Sequence, residues 1–249
     1  MKKVEAVILC GGRGQRMGNY MQEYKCKSLI PILEVACLSY VLKALKYIKC
    51  PMCILSIDRD DIYEDIEKIA IHSDVPFLII KDSGQGPTSV AIEASKYVSS
   101  SHFLMLHGHQ IIFPDQLTEM TKQNHDFIAS LYKSSSEEIR KVAMIDSLGY
   151  CINLRHGSIE NPARDSEFYL DKPYLLKTDV IRNSLLSDLN GNSKSPVNAD
   201  IHSHTIVRYM QNLYTIPANF RHEFHYEHEI SDIIQEAKIF QQKYFRESK

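Results

Sequence analysis

Apolar residues recur along this chain in two rhythms. Val7-Ile8-Leu9-Cys10 is an unbroken apolar run rich in β-branched residues, the mark of a strand buried on both faces. Residues 36–49 instead place Leu38, Val41, Leu42, Leu45 and Ile48 at helical spacing. The two rhythms then take turns. Strands are expected at 52–57, 75–80, 102–106 and 127–132. Helices are expected at 63–71, from the glycine loop at 82–87 to about residue 98, and from Pro114 to about residue 124. Such alternation predicts a mainly parallel sheet with right-handed crossovers, flanked by helices. The second half is less regular. Residues 142–146 and 150–154 flank Ser147-Leu148-Gly149 as a hairpin. A strand follows at 168–176, then a helix capped by Thr178 and running to Leu189. A polar loop at 191–198, a helix at 201–210 and a strand at 213–216 come next. A last helix spans 228–245, with Ile230, Ile233, Ile234, Ala237 and Phe240 on one face.

Length and composition add limits. The chain has 249 residues, 44% hydrophobic and 24% charged, enough for a full core. No linker or repeat divides it, so one domain over 1–249 is expected, with a regular half (1–132) and a less regular one (133–249). The formal net charge of −2 argues against bulk binding to nucleic acid or membrane surfaces. No apolar run reaches transmembrane length, and the first residues lack the apolar core of a signal peptide. A cytoplasmic location is the expectation. The six cysteines should then be reduced. Cys50-Pro51-Met52-Cys53 has CxxC spacing, but no second pair completes a zinc knuckle and no thioredoxin-like context surrounds it, so ordinary buried thiols are expected.

The candidate chemistry begins where the first strand stops. Gly11-Gly12-Arg13-Gly14-Gln15-Arg16-Met17-Gly18 joins close-approach backbone to guanidinium groups, and Lys27 follows. Backbone N–H groups freed of side chains can approach an anion, and the cations neutralise it. Polyphosphate is the natural guest. In a sheet of this kind, ligands bind beyond the carboxyl ends of the strands. Three loops fall there: 11–27, 83–88 and 107–109.

These residues resemble the sugar-phosphate nucleotidyltransferases, whose Rossmann-like fold opens with an apolar strand, Gly-Gly-x-Gly-x-Arg and then Lys-Pro-x-x-Pro. Gly11-Gly12-Arg13-Gly14-Gln15-Arg16 fits fully. Lys27-Ser28-Leu29-Ile30-Pro31 fits at Lys27 and Pro31, with serine for the first proline. Ser83-Gly84-Gln85-Gly86-Pro87-Thr88 is similar to the family's base-side loop. The resemblance implies attack of an acceptor phosphate oxygen on the α-phosphorus of a nucleoside triphosphate, with pyrophosphate leaving. Leu9, Gly11, Gly12, Gly14 and Arg16, Gln85 and Gly86, and His107 and Gly108 would hold the nucleotide. Arg16 would take the departing phosphates, and Lys27 would stabilise charge near the α-phosphate.

Departures from the family pattern fall on the metal and acceptor groups. The aspartate that usually ends the fourth strand and holds magnesium is His109, and imidazole is a poor magnesium ligand. The usual Glu-Lys-Pro triplet is nearest to Glu160-Asn161-Pro162, which lacks the amine. The late metal carboxylate corresponds to Glu223, within Phe220-Arg221-His222-Glu223-Phe224-His225-Tyr226. By resemblance the cofactor is a divalent ion, magnesium or a softer ion such as manganese held by His109, Glu223 and His225. Partners are a nucleoside triphosphate and a phosphorylated small molecule, with homo-oligomerisation left open. The alternatives are a catalytically impaired homologue that binds nucleotide and a glycosyltransferase of similar fold. The latter needs an Asp-x-Asp metal motif after the fourth strand, whereas Asp58-Arg59-Asp60 sits at the second.

Overall fold

The structure, a computed structural model, describes residues 3–12, 14–84, 86–132, 140–157, 167–183, 213–218, 224 and 227–245. The strands are β1 (Glu5–Leu9), β2 (Pro31–Ile32), β3 (Val35–Ala36), β4 (Cys53–Ile57), β5 (Phe77–Lys81), β6 (His102–His107), β7 (Phe127–Tyr132), β8 (Arg140–Ile145), β9 (Cys151–Gly157), β10 (Glu167–Lys177) and β11 (Leu213–Ala218). The helices are α1 (Tyr20–Tyr24), α2 (Cys37–Tyr47), α3 (Tyr63–Ile71), α4 (Pro87–Ser95), α5 (Pro114–Lys122), α6 (Thr178–Arg182) and α7 (Ile230–Phe240). The alternation expected through residue 132 is present, and the hairpin expected around Gly149 is β8–β9.

Nine strands form one sheet, in the order β11-β7-β10-β6-β1-β4-β5, with the β8–β9 hairpin hung from β10. β5, β4, β1 and β6 run parallel, as do β7 and β11. β10 is antiparallel to both β6 and β7 and lies between them. Strand alternation sorts the side chains into two cores. Ala6, Ile8, Cys53, Leu55, Leu104 and Leu106 join α2, α3, α5 and α7 on one face. Val7, Leu9, Ile54, Phe103 and Met105 join α4 and α6 on the other. Strands covered on both faces lose the alternation of apolar and polar residues, which is why β1 and β4 read as continuous apolar runs. Among the described residues, no helix is long and apolar enough to cross a membrane.

Thr178 opens α6 but does not cap it: its hydroxyl donates 2.7 Å to the Ser100 carbonyl, joining α6 to the turn before β6. α6 ends at Arg182. The remainder of the expected 178–189 helix, the polar loop at 191–198 and the helix at 201–210 lie outside the described residues.

Candidate functional site

The carboxyl end of β1 is bracketed on both sides. Gly108 N donates 2.9 Å to Leu9 O, and Cys10 N donates 2.9 Å to Ser56 O on β4. A Cβ on Gly11 would lie 2.7 Å from Asp58 Oδ1 and 2.9 Å from the Asp58 amide, so only glycine fits. Gly12 follows at φ +109° and donates its amide, 3.1 Å, to Asp58 Oδ2. Asp58 Oδ1 is buried and finds no hydrogen-bond partner among the described residues. Arg16 lies exposed on the short 3-10 turn Gln15–Met17.

The chain then returns across this edge. Lys27 begins the 3-10 turn Lys27–Leu29 and donates 3.0 Å from Nζ to the carbonyl of Phe224. Ser28 explains the missing proline of the signature. It is buried, and its hydroxyl donates 3.3 Å to Cys10 O. A Cβ on Gly108 would collide with Ser28 Oγ. Two glycine-dependent approaches, Gly11 to Asp58 and Gly108 to Ser28, therefore close around one strand end.

At the end of β6, His107 stacks on His109 at 4.8 Å with rings 11° apart, and the His109 ring meets the buried Phe224 at 5.6 Å. Gln110, fully buried, accepts from His107 N at 2.8 Å and donates 3.2 Å to Lys172 O on β10. On the opposite flank, Asp82 accepts from Ser56 Oγ at 2.6 Å and from Gly84 N at 2.7 Å. Burial, then the charges of Asp58 and Glu93, raise the Asp82 carboxyl above its ordinary pKa. Gly86, at φ +97°, leads into Pro87 at the start of α4.

The structure thus gathers Leu9, Gly11, Gly12, Lys27, His107, Gly108 and His109 at one sheet edge, with Gly86 on its flank. Gln85, Glu223, His225 and Glu160-Asn161-Pro162 lie outside the described residues. Phe224, the described residue between Glu223 and His225 in the chain, accepts from Lys27 Nζ at its carbonyl and meets the His109 ring. Among the described residues no three histidine, cysteine or acidic side chains converge as a cation site. Of the predicted ligands, His109 is the described one, and its imidazole is a poor ligand for a hard cation.

All six thiols are free and buried, and desolvation pushes Cys50 up to about 12, as befits packing rather than redox chemistry. Sequence reasoning missed Asp58, Gln110 and Lys172. Asp58 was weighed only within an Asp-x-Asp motif, and the signal for Lys172 was a Lys-Pro pair interrupting the apolar run of β10.

A glycine loop closing the first strand of a mainly parallel sheet, faced by the end of β6, is the plan of the nucleotidyltransferase class of α/β folds. More narrowly, the MobA-like NTP transferase domain matches residues 6–136, over half of the chain, and the chain belongs to that family. No match was found among curated proteins. Solved structures of similar fold include the inositol-1-phosphate CTP transferase from T. maritima (13% identity, 98% of this chain and 99% of that one, TM-score 0.74). A second is UDP-glucose pyrophosphorylase complexed with UDP-glucose (13% identity, 96% and 99%, TM-score 0.67). A third is CMP:2-keto-3-deoxy-manno-octonic acid synthetase complexed with CTP (14% identity, 96% and 99%, TM-score 0.67).

Proposed function

We propose that the chain joins a nucleoside triphosphate to a sugar phosphate or related phosphorylated acceptor. An acceptor phosphate oxygen forms a bond to the α-phosphorus. The bond from that phosphorus to the bridging oxygen breaks, and its electron pair leaves with pyrophosphate. Such chemistry needs in-line positioning and charge neutralisation rather than a covalent enzyme intermediate. The amides of Gly11, Gly12 and Gly14 would contact the triphosphate, Arg16 the departing phosphates and Lys27 the α-phosphate. Leu9, Gln85, Gly86, His107 and Gly108 would line the nucleoside side. The observation that carries this reading is the convergence of Lys27 and the Gly11-Gly12 turn on the end of β6.

A second reading, an impaired homologue that binds nucleotide without turning it over, is favoured by two features. His109 stands at the end of β6, and the Gly12 amide is already held by Asp58. One experiment separates the two. The protein is incubated with ATP, GTP, CTP, UTP or dTTP, a panel of phosphorylated sugars and magnesium or manganese, and pyrophosphate is measured. Release with one pairing is the result expected. Triphosphate binding without release under every combination would leave the impaired homologue standing.

A further inference from the structure

The central sheet has two edges, and the chain treats them differently. At one edge β11 is closed. Thr215 N donates 2.9 Å to Gly149 O in the hairpin turn, and Pro217 has no amide to offer. At the other edge β5 is open. Among the described residues it pairs with β4 alone. Cys53 N donates to Pro76 O and Asp82 N to Ile57 O, both at 2.8 Å, so the even-numbered residues along this strand turn their backbone groups inward. Phe77, Ile79 and Lys81 therefore point N–H and C=O away from the sheet. Such an edge is a template for another strand, and proteins commonly blunt it with proline, a bulge or charge. Phe77-Leu78-Ile79-Ile80-Lys81 contains no proline, its register to β4 is unbroken, and its one charge stands at the end.

The surroundings of this edge are apolar and partly exposed. Phe77 and Ile79 pack on one core and Ile80 on the other, while Leu78 is 37% exposed. Helix α3 leads from β4 to the parallel β5, so it runs antiparallel to both. One flank of α3 is engaged, with Asp65 bound at 2.7 Å by Lys25, just past α1. The other flank carries Tyr63, Glu67 and Ile71 at four-residue spacing, a stripe in which Tyr63 is 40% and Ile71 60% exposed. Charge is divided along the helix. Asp60, Asp61, Glu64 and Asp65 gather at its start, and Lys68 stands in its last turn.

We infer that β5 pairs antiparallel with β5 of a second copy of this chain, giving an isologous dimer with one continuous sheet. With the twofold axis at Ile79, that residue exchanges both backbone bonds with its own copy, and Phe77 does the same with the partner's Lys81. Leu78 then faces the partner's Ile80 as an apolar cross-strand pair. The same axis sets α3 antiparallel to its copy. Tyr63 comes towards the partner's Ile71, and the acidic start of each helix towards the Lys68 end of the other. Glu67, which accepts from Tyr63 OH at 3.4 Å, falls near the axis. Strand edge, apolar stripe and charge all match under one rotation, and that self-complementarity selects a second copy over an unrelated strand. The inference stands apart from the nucleotidyl-transfer reading.

Sedimentation of the full chain over a range of concentrations reads the pairing. A reversible dimer is the result expected, and a parent that stays monomeric up to about 100 μM overturns the inference. Leu78→Lys sets an ammonium against the partner's Ile80 twice in each dimer. It should weaken dimerisation about hundredfold, near tenfold for each copy of the contact. Dimerisation unmoved in Leu78→Lys overturns the inference. Should that variant fail to fold, as circular dichroism would show, Ile71→Lys carries the test from a more exposed position. Dimerisation about tenfold weaker in Ile71→Lys supports the pairing, and an unmoved value overturns it. Leu148→Lys, 72% exposed in the hairpin turn beside the closed edge, should leave the dimer intact. A dimer lost in Leu148→Lys and kept in Leu78→Lys would put the contact on the β11 edge and overturn the inference.

Discussion

The two flanks of β6 are built by opposite means. On the β1 flank the chain removes side chains: Gly11 and Gly108 stand where a Cβ would strike Asp58 and Ser28. On the β10 flank it inserts residues and braces them, with Gln110, Tyr132 and Ser130 holding the Lys172-Pro173 bulge. The first flank sets close-packed backbone beside two cations, with Lys27 held by the Phe224 carbonyl and Arg16 exposed. The second buries a lysine, Lys172, with its Nζ 5.5 Å from the centre of the Tyr174 ring.

The largest expected effect breaks the first flank. Arg16→Ala and Lys27→Ala should each lower turnover by about 10²-fold, or about 2.7 kcal/mol, if they stabilise charge in the transition state. Steady-state pyrophosphate release at saturating triphosphate gives the number. Equal kcat in parent and both variants would remove them from the chemistry and leave the amides alone on that flank.

Next comes the close approach itself. Gly11→Ala would place its methyl 2.9 Å from the Asp58 amide as well as 2.7 Å from its carboxylate, so rotating the Asp58 side chain gives no relief. Overpacking of this kind should destabilise the fold by about 2 kcal/mol. Urea unfolding would measure it. A wild-type midpoint would mean that the turn gives way easily, and the contrast between a shaped backbone and a braced bulge would fail.

These flanks also differ in how far the sequence disclosed them. Glycine spacing is legible because a close approach leaves one allowed residue, and Lys27 stands at a distance that the signature fixes. The alternation of strands and helices was legible because 3.6- and 2-residue rhythms follow from backbone geometry alone. The bulge was not. Nothing local in Phe168-Tyr169-Leu170-Asp171-Lys172-Pro173 says that the strand inserts between β6 and β7, since that position depends on pairings tens of residues away. Gln110 was illegible for the same reason: its two partners, His107 N and Lys172 O, come together only in the folded sheet. Asp58 was read for its motif spacing, when its meaning lies in the Gly12 amide 46 residues earlier in the chain.

Buried thiols sharpen the comparison, because each flank carries at least one. Cys26 lies in the segment that returns from the glycine loop, and Cys151 in the hairpin that hangs from β10. Burial pushes each up to about 11. In the unfolded chain a thiol titrates near about 8.5. The folded pKa is thus raised, so the native state holds the proton more tightly. Each thiol's contribution to stability is complete below about pH 8.5 and is lost as pH rises towards about 11. Stability should fall across that window by about 1.4 kcal/mol per pH unit for each thiol. Cys26→Ala and Cys151→Ala should each flatten the alkaline slope of the unfolding free energy by that amount. A slope changed only by Cys26→Ala would show that the hairpin side opens before its thiol feels burial.

The smallest effect probes the brace without touching the lysine. Tyr132→Phe deletes one of two donors to the Lys172 carbonyl and keeps the ring. Because Gln110 still donates to that carbonyl, the oxygen is not left bare. The loss should sit at the low end for a buried hydrogen bond, about 0.5–1 kcal/mol. If the bulge is an aiming device, KM for the phosphorylated acceptor should rise while KM for the triphosphate stays put, since Tyr132 and the glycine loop lie on opposite flanks of β6. If the bulge serves only to close the sheet, the same loss of stability should appear with both KM values unchanged. The split between the two substrates, rather than the size of the destabilisation, therefore decides whether the second flank is a binding surface or a seam.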